Sequence, residues 1–283
     1  MSALFVKHLT VLDFSYVHPE RGILGESWIV DVELHGDLDD QGMVFDFGLV
    51  KRQVRDAVES LFDHKLVVPK GLPGLKVETK GDRLELQWQD QAGRRFHHVS
   101  PAEGVELVEA TEVTPDALVE SLQQAAKAAA PANVKQVLIE LRTEEISGAF
   151  YQYSHGLKKH LGNCQRIAHG HRSRLKILRN GKRDPLLEKA WALKWKDIYI
   201  GTRSDLLRQF SENGVDYCQF GYDAQQGRFE LTLPAIQVYM IDTDSTVEYL
   251  ADHIATSLKH DDPEHDFEVR AFEGVMKGAL ARR

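Results

Sequence analysis

The sequence predicts an α+β protein built from two similar domains. Its 283 residues are enough for two domains of ordinary size, each with its own core. Stretches rich in β-branched and aromatic residues, typical of strands, are interspersed with stretches whose apolar residues recur at helical spacing. The order strand, strand, helix, strands, helix, strand occurs twice, with a boundary near Glu145. We therefore predict domains at residues 1–145 and 146–283.

The first domain is predicted to open with a β-hairpin and to contain two helices. Apolar residues at helical spacing predict a helix over residues 48–62. A second helix begins at Thr114 and Pro115, because an N-cap residue is followed there by proline in the first helical turn. The predicted strands cover residues 4–18, 27–34 and 134–141, with extended stretches near 74–89 and 96–108.

The second domain repeats much of this order. One strand ends at His155, and another covers residues 171–178. A late helix is opened by a capping-box pattern that starts at Ser245, and a strand over residues 267–272 follows it. The middle of this domain, residues 182–220, is less regular. Its first helix therefore has the weakest signal in the chain.

Composition and charge favour small-molecule chemistry. The net charge is −8 and there is no concentrated block of lysine and arginine, which argues against a nucleic-acid partner. No apolar run approaches the ~20 residues needed to span a bilayer, and the N-terminus lacks the pattern of a secretory signal. The two cysteines, Cys164 and Cys218, do not suggest a disulfide framework. We therefore expect a cytoplasmic protein without a membrane partner.

The histidines near the start of the second half predict a zinc site. His169 and His171 flank Gly170, so on a strand both rings leave the same face. His155 can supply a third nitrogen from the preceding strand. Cys164 lies between these ligands and can either stay free beside an open coordination position or act as a fourth ligand. Because the chain has 13 histidines, a His-x-His pair can also arise without a metal.

Each half of the chain carries part of one set of motifs. The first half contains Phe14-Ser-Tyr-Val-His18, Leu24-Gly25-Glu26, Gly42-Met-Val-Phe-Asp46-Phe47 and Asp63-His64. The second half contains Tyr151-Gln-Tyr-Ser-His155, Cys164, His169-Gly170-His171 and Glu273, but neither Gly-Met-Val-x-Asp-Phe nor Asp-His. With these motifs the chain resembles the 6-pyruvoyltetrahydropterin synthase / 6-carboxytetrahydropterin synthase family, as two units in tandem.

The resemblance implies a tunnelling fold (T-fold) in each domain. This fold is an antiparallel sheet with two helices on one face, and its copies assemble side by side into a barrel. The first domain would have the Asp-His pair and a degenerate metal site, since Leu24-Gly25-Glu26 stands where the family has His-Gly-His. The second domain would hold zinc. Because open sheet edges must pair with neighbours, we expect a homo-oligomer, a dimer or trimer of two-domain chains.

The resemblance also implies a division of roles between the halves. Zinc would be held by His155, His169 and His171. The catalytic residues would be Cys164, His64 and Asp63, with the thiol and the histidine exchanging protons with the substrate. Glu273 would bind the pterin ring, and the basic residues Lys158, Lys159 and Arg166 would bind a triphosphate. Our hypothesis is that one active site is shared, with Asp63 and His64 donated by the first domain.

The implied activity is that of a zinc-dependent carbon–oxygen lyase. It would convert 7,8-dihydroneopterin triphosphate to 6-carboxytetrahydropterin, on the route to queuosine. A 6-pyruvoyltetrahydropterin product needs the same zinc, thiol and pterin anchor, so residue types do not separate the two reactions. A non-catalytic pterin-binding or regulatory protein is the alternative of another class. Asp184 and Asp197, in the irregular segment, are further acid/base candidates.

Overall fold

Two sheets with the same strand order organise the chain. The structure is a computed structural model that describes residues 2–283. The elements of the first repeat are β1 (Ser2–His18), β2 (Gly22–Gly36), α1 (Phe47–Leu49), a π-helical turn (Val50–Val54), α2 (Arg55–Phe62), β3 (Leu66–Pro69), β4 (Lys76–Lys80), β5 (Arg83–Gln89), β6 (Arg95–Pro101), β7 (Val105–Val108), α3 (Pro115–Ala129) and β8 (Val134–Thr143).

The second repeat has the same succession of elements, with one small strand added before its first helix and another at its end. They are β9 (Phe150–His155), β10 (His169–Arg179), β11 (Lys182–Arg183), α4 (Pro185–Lys194), β12 (Ile198–Thr202), β13 (Leu206–Glu212), β14 (Val215–Ala224), β15 (Gly227–Pro234), β16 (Val238–Ile241), α5 (Val247–Asp261), β17 (Phe267–Phe272) and β18 (Gly278–Arg282). Residues 144–149, outside any helix or strand, connect the repeats.

The first sheet has the order β7-β3-β1-β2-β8, and the second has the equivalent order β16-β12-β9-β10-β17. In both, a central antiparallel hairpin pairs with the closing strand, also antiparallel. The two strands on the other side run parallel. The predicted α+β class with two tandem units is therefore confirmed. The sheets are mixed rather than wholly antiparallel, because those two strands are reached through helical and β-strand crossovers.

In each repeat the two helical segments pack on the same sheet. In the first repeat, Val58 and Leu122, from different helices, share a core cluster with Phe14 and Trp28 of the hairpin. In the second, Trp195, next to α4, and Ile254 of α5 share a core with the strand residues around Tyr153. Apolar stripes on the helices thus cover one face of each sheet. Among residues 2–283, no helix combines the length and apolar character needed to cross a bilayer.

Local capping explains where the helices begin, with one correction to the prediction. The Thr114 side chain accepts a hydrogen bond from the amide of Ala117, as expected for the N-cap of α3. The N-cap of α5 is Thr246 and not Ser245, whose hydroxyl instead contacts a histidine. Asp184 caps α4 by accepting from two backbone amides. This cap explains Asp184, the acid/base candidate, as a structural residue.

A third sheet joins the repeats and was missed from the sequence. Its order is β13-β14-β15-β6-β5-β4, so three strands come from each repeat. The strands β6 and β15 meet antiparallel, with His98 opposite Leu231. The core beneath this sheet contains Trp88 and Phe96 from the first repeat and Phe220 from the second. The segment that the sequence marked as irregular, residues 182–220, thus contributes β13 and part of β14 to an inter-repeat sheet.

The two central hairpins cross in direct backbone contact. Gly25 and Gly170 are equivalent, because they pair with Ser15 and Ser154 in the two hairpins. The hydroxyls of these serines are 2.7 Å apart. A Cβ on Gly25 would lie 1.9 Å from the carbonyl oxygen of Tyr153, and one on Gly170 would lie 2.7 Å from Gly25 Cα. Equivalent residues that contact each other indicate a pseudo-two-fold axis between the repeats.

We expect Gly25→Ala to destabilise the protein by about 3 kcal/mol, the upper end of overpacking costs, because the obstructing atoms are backbone. Gly81→Ala is the control. Gly81 has a φ of 67° and open space around its Cβ position, so only backbone strain of about 1 kcal/mol applies. Denaturant unfolding measures both losses, and equal losses would contradict a tight crossing at Gly25.

We also expect low pH to destabilise the protein at the pairing of β6 with β15. Burial and the neighbouring His97 lower the pKa of His98 to about 3, below the ordinary value of about 6.5. The unfolded chain therefore binds the proton more readily, and stability falls as pH drops from about 6.5 towards 3, by at most about 1.4 kcal/mol per pH unit. In His98→Gln this part of the pH dependence should disappear from unfolding curves. The exposed His260→Gln should keep it.

Candidate active site between the two repeats

Three buried histidines of the second repeat converge. His155 ends β9, and His169 and His171 begin β10, where His169 pairs directly opposite His155. The side chains are between 0% and 1% exposed. One ligand nitrogen from each ring lies within 4.8 Å of the other two. The antiparallel register of β9 and β10 therefore brings the three predicted metal ligands together.

The outer nitrogen of each ring contacts an acceptor. His155 Nδ1 is 3.0 Å from both the carbonyl and the hydroxyl oxygen of Ser245. His169 Nδ1 is 2.9 Å from the carbonyl oxygen of Arg166, and His171 Nδ1 is 3.1 Å from Asp13 Oδ1. Within residues 2–283, the three Nε2 atoms have no hydrogen-bond partner, and His171 Nδ1 approaches Asp13 outside hydrogen-bond geometry. Three inward nitrogens oriented from behind match the donor set of zinc with an open position.

The electrostatics of this cluster suit a metal. Burial, and then the charge of His171, hold the pKa of His155 well below its usual value. Burial and the charge of His155 do the same to the pKa of His169. Both rings are therefore neutral at physiological pH, which is the form that binds metals. A buried nitrogen left without any partner is costly, and a bound cation would remove that cost.

The Asp63-His64 pair of the first repeat lies beside this cluster. Asp63 Oδ2 is 2.6 Å from His64 Nδ1. A ligand atom of His64, Cys164 Sγ and a ring nitrogen of His169 lie within 4.8 Å of one another. Burial alone would lower the pKa of His64, but hydrogen bonds to Asp63 and Cys164 raise it to about 10. The residues predicted to share one site are thus neighbours, although they come from different repeats.

The backbone of His64 has an unusual conformation. Its φ is 55°, in the left-handed region that few residues other than glycine adopt. Its amide donates to the carbonyl oxygen of Asp13 at 2.7 Å. The amide of Asp13 in turn donates to Asp63 Oδ1 at 3.0 Å. The end of α2 is therefore fastened to β1, which fixes the direction of the imidazole.

Glu273 lies at the edge of the histidine cluster. It follows β17, and its amide donates to the carbonyl oxygen of Lys277 in a tight turn, at 3.0 Å. Its Oε1 is 3.9 Å from His171 Nε2, and its side chain is 25% exposed. This carboxylate is therefore available to a ligand that also reaches the metal ligands.

The three basic residues predicted to bind a triphosphate differ in position. Lys158 pairs with Asp205, and Lys159, on the surface, pairs with Asp244 at 2.6 Å. Arg166 is 6% exposed, and its guanidinium contacts Gln226 Oε1 and the carbonyl oxygen of Asp63 at 3.1 and 3.5 Å. Arg166 is therefore brought to the site, whereas both lysines are already neutralised by carboxylates.

Three residues at the site were missed in the sequence analysis. Asp13 contacts His171 and also accepts from Lys277 Nζ at 3.0 Å. Ser245 contacts His155. Asp13 could have been suspected, since a carboxylate directly before the motif residue Phe14 falls on a strand with a buried face. Ser245 was interpreted as a helix cap, and Lys277 gives no sequence signal.

The equivalent position in the first repeat does not fit a zinc ion. Hairpin register aligns Tyr16 with His155, Leu24 with His169, and Glu26 with His171. The motif residue His18 lies two positions further along β1, and its Nδ1 accepts from the amides of Glu20 and Arg21. The match of His18 to the opening motif is therefore wrong in register. A tyrosine, a leucine and a glutamate do not form a zinc donor set.

An ion pair is the centre of polar contacts at that position. The Arg21 guanidinium donates to Asp197 Oδ2 at 2.9 Å and to Gln152 Oε1 at 2.7 Å. Gln152 Nε2 donates to Glu26 Oε2 at 3.0 Å, and burial raises the pKa of Glu26 to about 7. Asp197 is the counterpart of His64, since each precedes a parallel strand with a positive φ. Asp197 is thus a salt-bridge partner of Arg21.

Comparisons with known proteins identify the family. Residues 7–142 match the family model described as 6-pyruvoyl tetrahydropterin synthase. A protein of Pyrococcus horikoshii assigned as a 6-carboxy-5,6,7,8-tetrahydropterin synthase is 26% identical over 130 residues, which cover 46% of this chain and 74% of that protein.

Solved structures of 6-pyruvoyl tetrahydropterin synthases also match, at low identity. The Plasmodium falciparum structure aligns with a TM-score of 0.40 and 14% identity over 50% of this chain and 90% of that one. The Plasmodium vivax structure aligns with a TM-score of 0.35 and 16% identity, over 50% of this chain and 97% of that one. The family model covers the first repeat, and the second repeat has the equivalent strand order. Through residues 7–142, the first repeat of this chain belongs to the 6-pyruvoyl tetrahydropterin synthase family.

Proposed function

We propose that the protein is a zinc-dependent lyase that converts 7,8-dihydroneopterin triphosphate to 6-carboxytetrahydropterin, on the route to queuosine. One observation carries this proposal: the Asp63-His64 pair of the first repeat lies against Cys164 and His169 of the second. Among residues 2–283, neither repeat alone has both the histidine cluster and the Asp-His pair. The proposed division into domains 1–145 and 146–283 makes each domain the donor of half a site.

The residues that would hold zinc are His155, His169 and His171, through Nε2. Their inward nitrogens have no other partner among residues 2–283. The outer nitrogens of His155 and His169 contact acceptors, and that of His171 lies 3.1 Å from Asp13 Oδ1. When bound, zinc supplies a Lewis acid that polarises oxygens on the substrate side chain and makes the adjacent C–H bonds more acidic. We propose that Cys164 does not bind the metal, because its thiol lies beside His64.

Proton transfer is assigned to Cys164 and His64. Cys164, whose sulfur lies beside His64, is the proposed base that removes a proton from a side-chain carbon of the substrate. His64 can return a proton on the other side, as Asp63 fixes its orientation and stabilises its charged form. A histidine whose pKa is raised to about 10 is a proton reservoir at neutral pH.

Substrate binding is assigned to Glu273 and the nearby basic residues. A carboxylate accepts paired hydrogen bonds from the 2-amino group and ring N–H of a pterin, and Glu273 is exposed at the edge of the cluster. Arg166 is the proposed main partner of the triphosphate. Lys158 and Lys159 can contribute only by exchanging Asp205 and Asp244 for phosphate oxygens.

We propose a homo-oligomer, a dimer or trimer of these two-domain chains. Within residues 2–283, β7 and β8 are the outer strands of the first sheet, and β16 and β18 are those of the second. Unpaired edges expose backbone donors and acceptors to neighbours. Pairing between chains along these edges would satisfy them.

Substitutions at the two proton-transfer residues test the shared site. We expect Cys164→Ala and His64→Ala each to lower kcat for 7,8-dihydroneopterin triphosphate by about 10²- to 10⁴-fold, the usual effect of removing an acid/base group. Zinc content, measured by atomic absorption, should remain at one ion per chain. Cys218→Ala, at the second cysteine, which is buried, should keep its kcat.

Two results would contradict this function. An unchanged kcat in His64→Ala would show that the first repeat does not share in catalysis. A wild-type chain that binds zinc and pterin but gives no product would make the protein a pterin-binding protein without this activity.

The pterin anchor can be tested separately from the chemistry. We expect Glu273→Gln to raise KM by about 10- to 100-fold, because a charged hydrogen bond contributes about 1.5–3 kcal/mol. The exposed Glu264→Gln is a matched control on the same repeat and should leave KM unchanged. Steady-state kinetics at saturating zinc measure both. An unaltered KM in Glu273→Gln would remove this residue from the pterin site.

A further inference from the structure

Asp13 connects several parts of the site through one buried carboxylate. It lies on β1 of the first repeat and is 2% exposed. Its Oδ1 is 3.1 Å from His171 Nδ1 and accepts from Ser27 Oγ at 2.5 Å. Its Oδ2 accepts from Lys277 Nζ at 3.0 Å. Both carboxylate oxygens are thus occupied inside the protein, and one of them faces a proposed metal ligand.

The buried carboxylate is paired with a cation, since Lys277 Nζ lies 3.0 Å from its Oδ2. An ionised acceptor is stronger than a neutral one for an imidazole N–H. Asp13 Oδ1 and His171 Nδ1 are close, at 3.1 Å, although their present angle is not that of a hydrogen bond.

The second repeat has a residue equivalent to Asp13, and its contact indicates that this position is matched chemically to its partner. Hairpin register makes Gln152 equivalent to Asp13 and Glu26 equivalent to His171. Gln152 reaches across the crossing and donates to Glu26 at 3.0 Å. Asp13 thus faces His171, and its equivalent Gln152 faces Glu26, the equivalent of His171. Where the partner is an imidazole the residue is a carboxylate acceptor, and where the partner is a carboxylate it is an amide donor.

The other two metal ligands depend on different support. His155 and His169 contact Ser245 and a backbone carbonyl, all within the second repeat. Among residues 2–283, His171 is the one ligand whose outer nitrogen faces a carboxylate, and that carboxylate comes from the first repeat. A carboxylate behind a ligating imidazole fixes its tautomer and increases its basicity.

We propose that Asp13 is the positioning residue of His171: its carboxylate accepts the Nδ1 proton, so that Nε2 carries the lone pair that binds the metal. Through its main chain, Asp13 also holds Asp63 and His64. The first repeat therefore controls metal affinity as well as supplying the acid/base pair. This inference rests on the zinc site proposed above.

The test is the zinc affinity of the full-length chain in competition with a chromophoric chelator. Asp13→Asn should weaken zinc binding by about 10- to 100-fold, the usual effect of losing such an outer partner. Circular dichroism should show the same fold. Asp31→Asn is the matched control, since Asp31 is also about 3% exposed but pairs with Lys7 and Arg142 instead of a ligand. It should change affinity less than twofold, and wild-type affinity in Asp13→Asn would overturn the inference.

A second measurement tests whether Asp13 positions His171, even if Asp13→Asn folds poorly. Long-range 1H–15N NMR of the zinc-loaded wild-type chain should show His171 with its proton on Nδ1 and the metal on Nε2. Metal on Nδ1 of His171 would overturn the inference. A wild-type chain that holds no zinc would overturn both this inference and the proposed function. Zinc binding without turnover would contradict the lyase activity alone, while the Asp13 comparison still gives its own answer.

Discussion

The backbone contact between the two central hairpins is the constraint on which the rest of the structure depends. Gly25 and Gly170 have no side chain, so β2 and β9-β10 approach more closely than any Cβ would permit. The hydroxyls of Ser15 and Ser154 meet at the same crossing. At this separation a short carboxylate such as that of Asp13 spans from one repeat to an imidazole of the other. A wider crossing would leave the histidine cluster without its charged partner and the Asp63-His64 pair out of reach of Cys164.

Burial and local partners then determine the protonation states of the histidines at this junction. The three histidines are oriented from behind, and desolvation keeps His155 and His169 neutral. His64, a few ångströms away, is held in the charged form by Asp63 and Cys164. Neutral and protonated imidazoles thus lie side by side because their immediate partners differ. Metal binding needs the first kind of ring and proton donation needs the second.

Much of this arrangement could be predicted from local sequence, and the failures have physical causes. His169 and His171 were predicted from strand periodicity, since ligands on one strand share a face. The approach of Asp63 and His64 to Cys164 came from a family resemblance, because no local pattern reports which distant segments meet. His18 was misplaced because a two-residue shift along a strand keeps every side chain on the same face. The third sheet was missed because its central pairing, between β6 and β15, joins strands from different repeats.

The Arg21–Asp197 pair illustrates the effect of having both sides of a two-fold contact in one polypeptide. In a symmetric assembly of identical subunits, every substitution appears on both sides of the axis at once. A change that removed a metal ligand from one junction would remove it from all of them. Here, one junction has a guanidinium and a glutamine, while the other keeps its imidazoles, its thiol and Asp13. In one polypeptide, a substitution at one junction leaves the other unchanged, so the Arg21–Asp197 junction can differ from the histidine cluster without altering it.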